Sequence, residues 1–114
     1  MEVAASHHEH VTVLAIAGSV DSLTADRLTA SLSAQLGTGR IHLVADFAAV
    51  DYTSSAGLRS LLGAVKDSRR LGGDLRLAAV QPSVLRVLSL SGFASIIKIF
   101  GDVGEAVSSY QPKV

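Results

Sequence analysis

Residues 41–65, IHLVADFAAVDYTSSAGLRSLLGAV, hold two different periodicities that meet at a pair of serines. The run Ile41-His42-Leu43-Val44-Ala45-Asp46-Phe47 is almost continuously apolar, which predicts a central strand covered on both faces. After Ser54 and Ser55, the residues Leu58, Leu61, Leu62 and Val65 recur at i, i+3, i+4 and i+7, the spacing of an apolar stripe along one side of a helix. Residues 48–53 read as a tight connection between the two. A buried strand leading into an amphipathic helix is half of a β-α-β unit, so this segment points to a parallel sheet.

The flanks continue the alternation. Downstream, Gly72-Gly73 stops the helix and residues 74–80 form a fourth strand. Pro82 opens a helix whose apolar side is Val84, Leu85, Leu88 and Leu90, and its missing N–H costs nothing in the first turn. Residues 96–99 are a short strand, and Asp102 caps a last helix containing Val103, Ala106, Val107 and Tyr110. Upstream, Asp21, Ser22 and Thr24 offer N-cap oxygens to a helix with Ala25, Leu28, Leu32 and Leu36 on one face, closed by Gly37 and Gly39. Residues 1–18 read as an antiparallel hairpin: a strand near residues 2–5, a turn at Ser6-His7-His8-Glu9, and a second strand over residues 11–17. The order β-β-α-β-α-β-α-β-α predicts an α/β domain with a mixed, largely parallel sheet of about five strands and about four helices mainly on one face.

Composition narrows the class. With 114 residues the chain suits one domain spanning residues 1–114, since halves of it would bury little core. Hydrophobic residues form 48% and charged residues 18%, a balance that favours a folded chain over a disordered one. Aromatic residues are only 4% with no Trp, so the core is aliphatic and single-stranded nucleic acid finds no stacking surface. Lys plus Arg and Asp plus Glu number ten each, without the basic excess of a nucleic-acid binder. Lys66, Arg69 and Arg70, with Asp67 among them, read as a solvated helix face. The absence of Cys removes disulfides, thiolate zinc sites and thiol nucleophiles. No apolar run reaches the roughly 18 residues of a membrane span, and no signal-peptide pattern opens the chain. A soluble, cytoplasmic protein without membrane attachment is expected.

The chemistry concentrates in residues 50–58, VDYTSSAGL. The first N–H groups of a helix lack intrahelical partners and lie at the positive end of its dipole, so a hydroxyl there is well placed to carry a phosphate. Ala56 and Gly57 are small enough for a partner to approach the backbone closely. The same serines also fit an ordinary helix cap, and the segment alone favours that reading.

Four stretches in order resemble the STAS domain family. They are Gly18-Ser19-Val20-Asp21 with Thr24-Ala25; Asp46 at the end of the third strand; Ser54-Ser55-Ala56-Gly57-Leu58, similar to an Asp-Ser-Ser/Thr-Gly-Leu motif; and the second-half run Leu71-Gly72-Gly73-Asp74, Gln81-Pro82-Ser83-Val84, Leu90-Ser91-Gly92-Phe93. Together they extend from about Val11 to Tyr110. The resemblance implies an anti-sigma-factor antagonist in a partner-switching circuit. Its unphosphorylated form binds an anti-sigma factor that is also a serine kinase, freeing the sigma factor. Phosphorylation of the motif serine, aligned here with Ser55, breaks the complex, and a serine phosphatase restores it. The resemblance further implies partner-binding residues at Asp21, Thr24, Ser54, Ser55, Ala56, Gly57, Leu58 and Arg59. Ser54 replaces the motif Asp and becomes a competing acceptor, Ala56 replaces the second hydroxyl residue, and Arg59 replaces a residue that is often small. Related domains also act as sensors of a small ligand or nucleotide, or as scaffold modules in larger signalling assemblies, and that alternative stands beside the antagonist.

Other candidates are weaker. His7, His8, Glu9 and His10 suggest a metal site, but neighbouring strand residues face opposite ways, and an exposed turn explains them. His42 reads as a core or edge histidine. A hydrolase built on Ser55 would need a recognisable nucleophile motif, yet no Gly-x-Ser-x-Gly is present, and no phosphate loop ending in Lys-Ser/Thr occurs. The expectation is a non-enzyme with no cofactor and no metal.

Overall fold

The apolar run at residues 41–47 opens a strand buried on both faces. In the computed structural model of the protein, which describes residues 1–110, β3 (His42–Thr53) lies at the centre of a five-stranded sheet in the order β1-β2-β3-β4-β5. β1 (Glu2–His8) runs antiparallel to β2 (Val11–Val20), while β2, β3, β4 (Asp74–Ala78) and β5 (Ile99–Phe100) are mutually parallel neighbours. Between them come α1 (Ala25–Gly37), α2 (Ser55–Arg70) and α3 (Pro82–Leu90), and α4 (Val103–Ser108) follows β5. Each crossover advances one strand in the same direction, so right-handed connections place α1, α2 and α3 on one face.

Side-chain alternation builds two cores. Leu14, Ile16, Leu43, Ala45, Phe47, Leu75 and Leu77 meet Leu28 and Leu32 of α1, Leu61 and Val65 of α2, and Val84 and Leu88 of α3. On the other face Val11, Val13, Val44 and Ala78 are covered by Ala106 of α4 and by Tyr110. The mixed sheet, the four helices and their bias to one face match the α/β architecture expected from the sequence. Each fully buried Leu or Phe contributes about 1.5–3 kcal/mol.

Several boundaries differ from expectation: β2 runs on past residue 17 to Val20, and β4 stops at Ala78 rather than reaching residue 80. Residues 48–53 are not a connection but the second half of β3, paired with β2 up to Val20↔Thr53. The register shifts twice on the way, between Ala15/Ala17 and between Gly18/Ser19. Each shift inserts an extra β3 residue and breaks the period of two by which a strand is recognised. The hairpin turn lies at Glu9-His10 rather than at residues 6–9: β1 continues to His8, opposite Val11, and Glu9 adopts φ 58°. A left-handed Glu carries no sequence signal of the kind a Gly or Asn would give. The strand expected at residues 96–99 is reduced to Ile99–Phe100, because Phe93–Ser95 forms a 3₁₀ turn and Ile97 is drawn into the main core. α4 ends at Ser108, and Tyr110 lies past its end with its hydroxyl donating to the Leu43 carbonyl at 2.8 Å.

Candidate functional site

β2 and β3 end side by side, and the segments that follow them form one surface. The Ser54 N–H donates to the Val20 carbonyl at 2.8 Å, extending the strand pairing by one bond before the chain turns into α2. Ser54 is extended, with φ −100° and ψ 176°, and its hydroxyl accepts from the Gly57 N–H at 3.3 Å. It is the N-cap, so the helix-cap reading applies to Ser54. Ser55 is the first helical residue and is exposed. The two hydroxyls thus have different surroundings: one satisfies the helix end and the other faces solvent.

Gly57 is fixed by packing. A Cβ there would lie 2.5 Å from Thr53 Oγ1, 2.7 Å from Val20 Cγ1 and 2.9 Å from the Val20 carbonyl oxygen, closer than real contacts allow. Its missing side chain lets the first turn of α2 sit against the ends of β2 and β3. The expectation that Gly57 is small to admit a partner therefore needs correction, because Gly57 is buried. Ala56 and Leu58 are half-buried, with Leu58 packed against the main core.

Asp21 and Thr24 stand in the loop after β2. Asp21 Oδ1 accepts from the N–H groups of Leu23 (2.9 Å) and Thr24 (3.2 Å), while Thr24 Oγ1 accepts from the Asp21 N–H (2.9 Å) and donates to the Ser19 carbonyl (2.9 Å). This reciprocal arrangement satisfies donors at the entrance to α1. Both residues are half-buried, so they shape the loop more than they offer free groups.

Arg59 lies one turn into α2, exposed, beside a recess between α1 and α2 that Asp26, Ala56 and Ser60 also line. The floor is tied together by Thr29 Oγ1 donating to Ser60 Oγ (2.8 Å), which donates in turn to the Ala25 carbonyl (3.1 Å). All eight candidate residues are thus in the β2–α1 loop or the first turn and a half of α2. Sequence reasoning missed two exposed apolar side chains at the same end, Leu23 at 87% exposure and Tyr52 at 53%. A leucine or tyrosine gives no sign in sequence that it will face water. It also missed Asp51, whose carboxylate accepts from Ser19 Oγ at 3.1 Å.

The histidines lie elsewhere. His7 and His8 belong to the low end of β1, opposite Thr12 and Val11, and His42 pairs with Val11 at the start of β3. His7 and His8 are therefore in the strand, not in the turn expected for them. His10 hydrogen-bonds through Nε2 to the Tyr110 carbonyl, and its ring meets the edge of His42, which meets Tyr110. Burial, helped by His10, Arg76 and Arg40, lowers the His42 pKa, and burial raises that of Tyr110. His42 pairs with Val11 and the end of β3 pairs with Val20, and at about 3.3 Å per residue along β2 this puts His42 and Ser55 roughly 30 Å apart. A serine–histidine pair for hydrolysis is therefore not assembled. Among the described residues, no three His, Cys, Asp or Glu side chains are grouped to hold a metal ion, and no helix is long and apolar enough to cross a membrane.

The sequence profile of the STAS domain matches residues 2–106. The chain belongs to the STAS domain family. Its relatives include BtrV of Bordetella bronchiseptica, named as an anti-sigma factor antagonist, which is 35% identical over 99 residues covering 87% of this chain and 85% of that protein. Among solved structures, one described as an anti-sigma factor antagonist from Thermotoga maritima superposes with a TM-score of 0.89 at 21% identity, covering 94% and 92% of the two chains. The Bacillus cell fate determinant SpoIIAA in its phosphorylated form gives a TM-score of 0.74 at 17% identity, covering 96% and 100%. These two likenesses establish the shared STAS fold.

Proposed function

We propose that this STAS domain is an anti-sigma-factor antagonist of a partner-switching circuit, acting in the cytoplasm. In this reading the unphosphorylated domain binds an anti-sigma factor with serine kinase activity, through the surface formed by Asp21, Thr24 and the first turns of α2, and the sigma factor is released. The observation that carries the reading is the division of labour at the helix start. Ser54 is used as the cap, while Ser55 is exposed at the first helical position, and the resemblance to the family's motif assigns the modified serine to Ser55.

The chemistry asks little of the domain itself. The kinase brings a nucleoside triphosphate; the Ser55 oxygen takes the γ-phosphoryl, its hydroxyl proton leaves, and the nucleoside diphosphate departs. The phosphoserine adds about −1.5 to −2 charge with three acceptor oxygens. The amides and dipole at the start of α2 tolerate that anion, so the fold persists while a partner seated on Ser55 would have to bury a charge. A serine phosphatase then resets the surface. No catalytic residue is assigned to this chain.

The test is incubation of the purified protein with its cognate anti-sigma serine kinase and Mg-ATP, with the modified residue located by mass spectrometry. The expected result is modification at Ser55, abolished in Ser55→Ala and retained in Ser54→Ala. Modification at Ser54, or none at either serine, contradicts the assignment.

A further inference from the structure

Arg59 follows Ser55 by four residues on α2 and is exposed. Positions i and i+4 of a helix are surface neighbours, with Cβ atoms roughly 5–6 Å apart. Long helical side chains lean toward the N-terminus, so the reach of Arg59 is toward the turn that holds Ser55.

The N-terminal end of α2 carries no negative side chain of its own. The first turn of α1 contains Asp26 and that of α4 contains Glu105, whereas the first turns of α2 and α3 have no acidic residue. At the other end Arg69 and Arg70 complement the dipole, and both are paired, with Asp74 and Asp67 respectively. Arg59, in contrast, is a cation in the N-terminal half of the helix, just beyond its first turn. It forms no ion pair among the described residues. Asp26 and Asp67 line the two adjoining recesses that Arg59 borders, yet neither closes on it. An unneutralised helix end and an unpartnered guanidinium one turn away lack the same thing, an anion between them.

We propose that Arg59 is an intramolecular clamp for the phosphate of Ser55: once the serine is modified, guanidinium and phosphate close an ion pair across the first turn of α2. The inference rests on Ser55 being the modified residue. Arg suits the task better than Lys because its planar fork can give two parallel hydrogen bonds to one phosphate. Phosphorylation then changes the docking surface twice, adding a dianion at Ser55 and withdrawing a free cation at Arg59 from any partner.

The test installs phosphoserine at position 55 during translation, so its outcome does not depend on which residue a kinase selects. The second ionisation of the phosphate is followed by phosphorus NMR in the otherwise native protein, in Arg59→Gln and in Arg59→Lys. A nearby cation favours the dianion, so the native midpoint should lie below that of Arg59→Gln by about 0.15 to 0.4 of a pH unit, the scale of an exposed i,i+4 charge pair. Arg59→Lys should fall between the two. The difference should shrink at 1 M salt, where the screening length is about 3 Å. Coincident titration curves for the native and Arg59→Gln proteins would overturn the clamp, while leaving the kinase assignment of Ser55 to its own test.

Discussion

The two ends of the parallel strands are built on opposite principles. At the end where the strands begin, polar groups are consumed by one another. Asp74, almost buried, accepts from Arg69 at 2.9 Å, from Arg76 at 3.1 Å and from the Leu75 N–H at 2.9 Å. Arg76 also donates to the Ser109 carbonyl and lies 3.9 Å from the centre of the Tyr110 ring. Arg40 donates to Thr12 Oγ1 and to the Val11 carbonyl, and the His10–His42–Tyr110 stack closes the cluster. At the end where the strands finish, Ser55, Arg59, Leu23 and Tyr52 face solvent. One end holds α4, Ser109 and Tyr110 against the sheet, and the other presents groups that face solvent. A small domain can thus keep its stability and its recognition on separate ends, so that a change of charge at one is not felt at the other.

The largest expected effect lies at the closed end. Asp74→Ala removes the carboxylate shared by two arginines, and Arg76, with only 12% of its side chain exposed, is left without its counter-ion. Breaking a buried pair in this way should cost roughly 3 kcal/mol, read from denaturant unfolding. A loss below about 0.5 kcal/mol, the range of ordinary surface substitutions, would mean that the network does not hold this end together.

A smaller effect should follow pH. The His42 pKa is lowered in the fold, chiefly by burial, so between that value and the unfolded value near 6.5 the unfolded chain binds more protons. The contribution is therefore fully present above pH 6.5 and declines as pH falls through the lowered pKa. Thermal melts should show stability decreasing below about pH 6.5, and His42→Gln should flatten that decrease. An unchanged acid limb in His42→Gln would remove His42 from the account.

How much of this was legible in the sequence depended on whether periodicity survived. Residues 41–47 and the stripe Leu58, Leu61, Leu62, Val65 kept theirs, and the central strand, α2 and their junction follow from them. Residues 48–53 lost theirs to two bulges, so half of β3 looked like a loop. The hairpin turn was hidden because Glu9 takes a conformation its chemistry does not advertise. At the site, two adjacent serines were indistinguishable as letters. Only the bond from the Gly57 N–H to Ser54 Oγ separates cap from exposed hydroxyl. Gly57 was visible as a small residue, but much of its reason, the proximity of Val20, is a contact between segments far apart in the chain.

The central claim is that Ser55 switches a surface without altering the fold. The most direct measurement compares the native protein, Ser55→Ala and Ser55→Asp for affinity to the cognate anti-sigma kinase by calorimetry, with melting temperatures recorded on the same samples. Burying an uncompensated charge against a partner costs several kcal/mol, and about 3 kcal/mol corresponds to roughly a hundredfold in affinity. The account therefore expects native-like binding by Ser55→Ala and about hundredfold weaker binding by Ser55→Asp, with all three melting together. Native-like binding by Ser55→Asp, or a loss of affinity that tracks a fall in melting temperature, would contradict it.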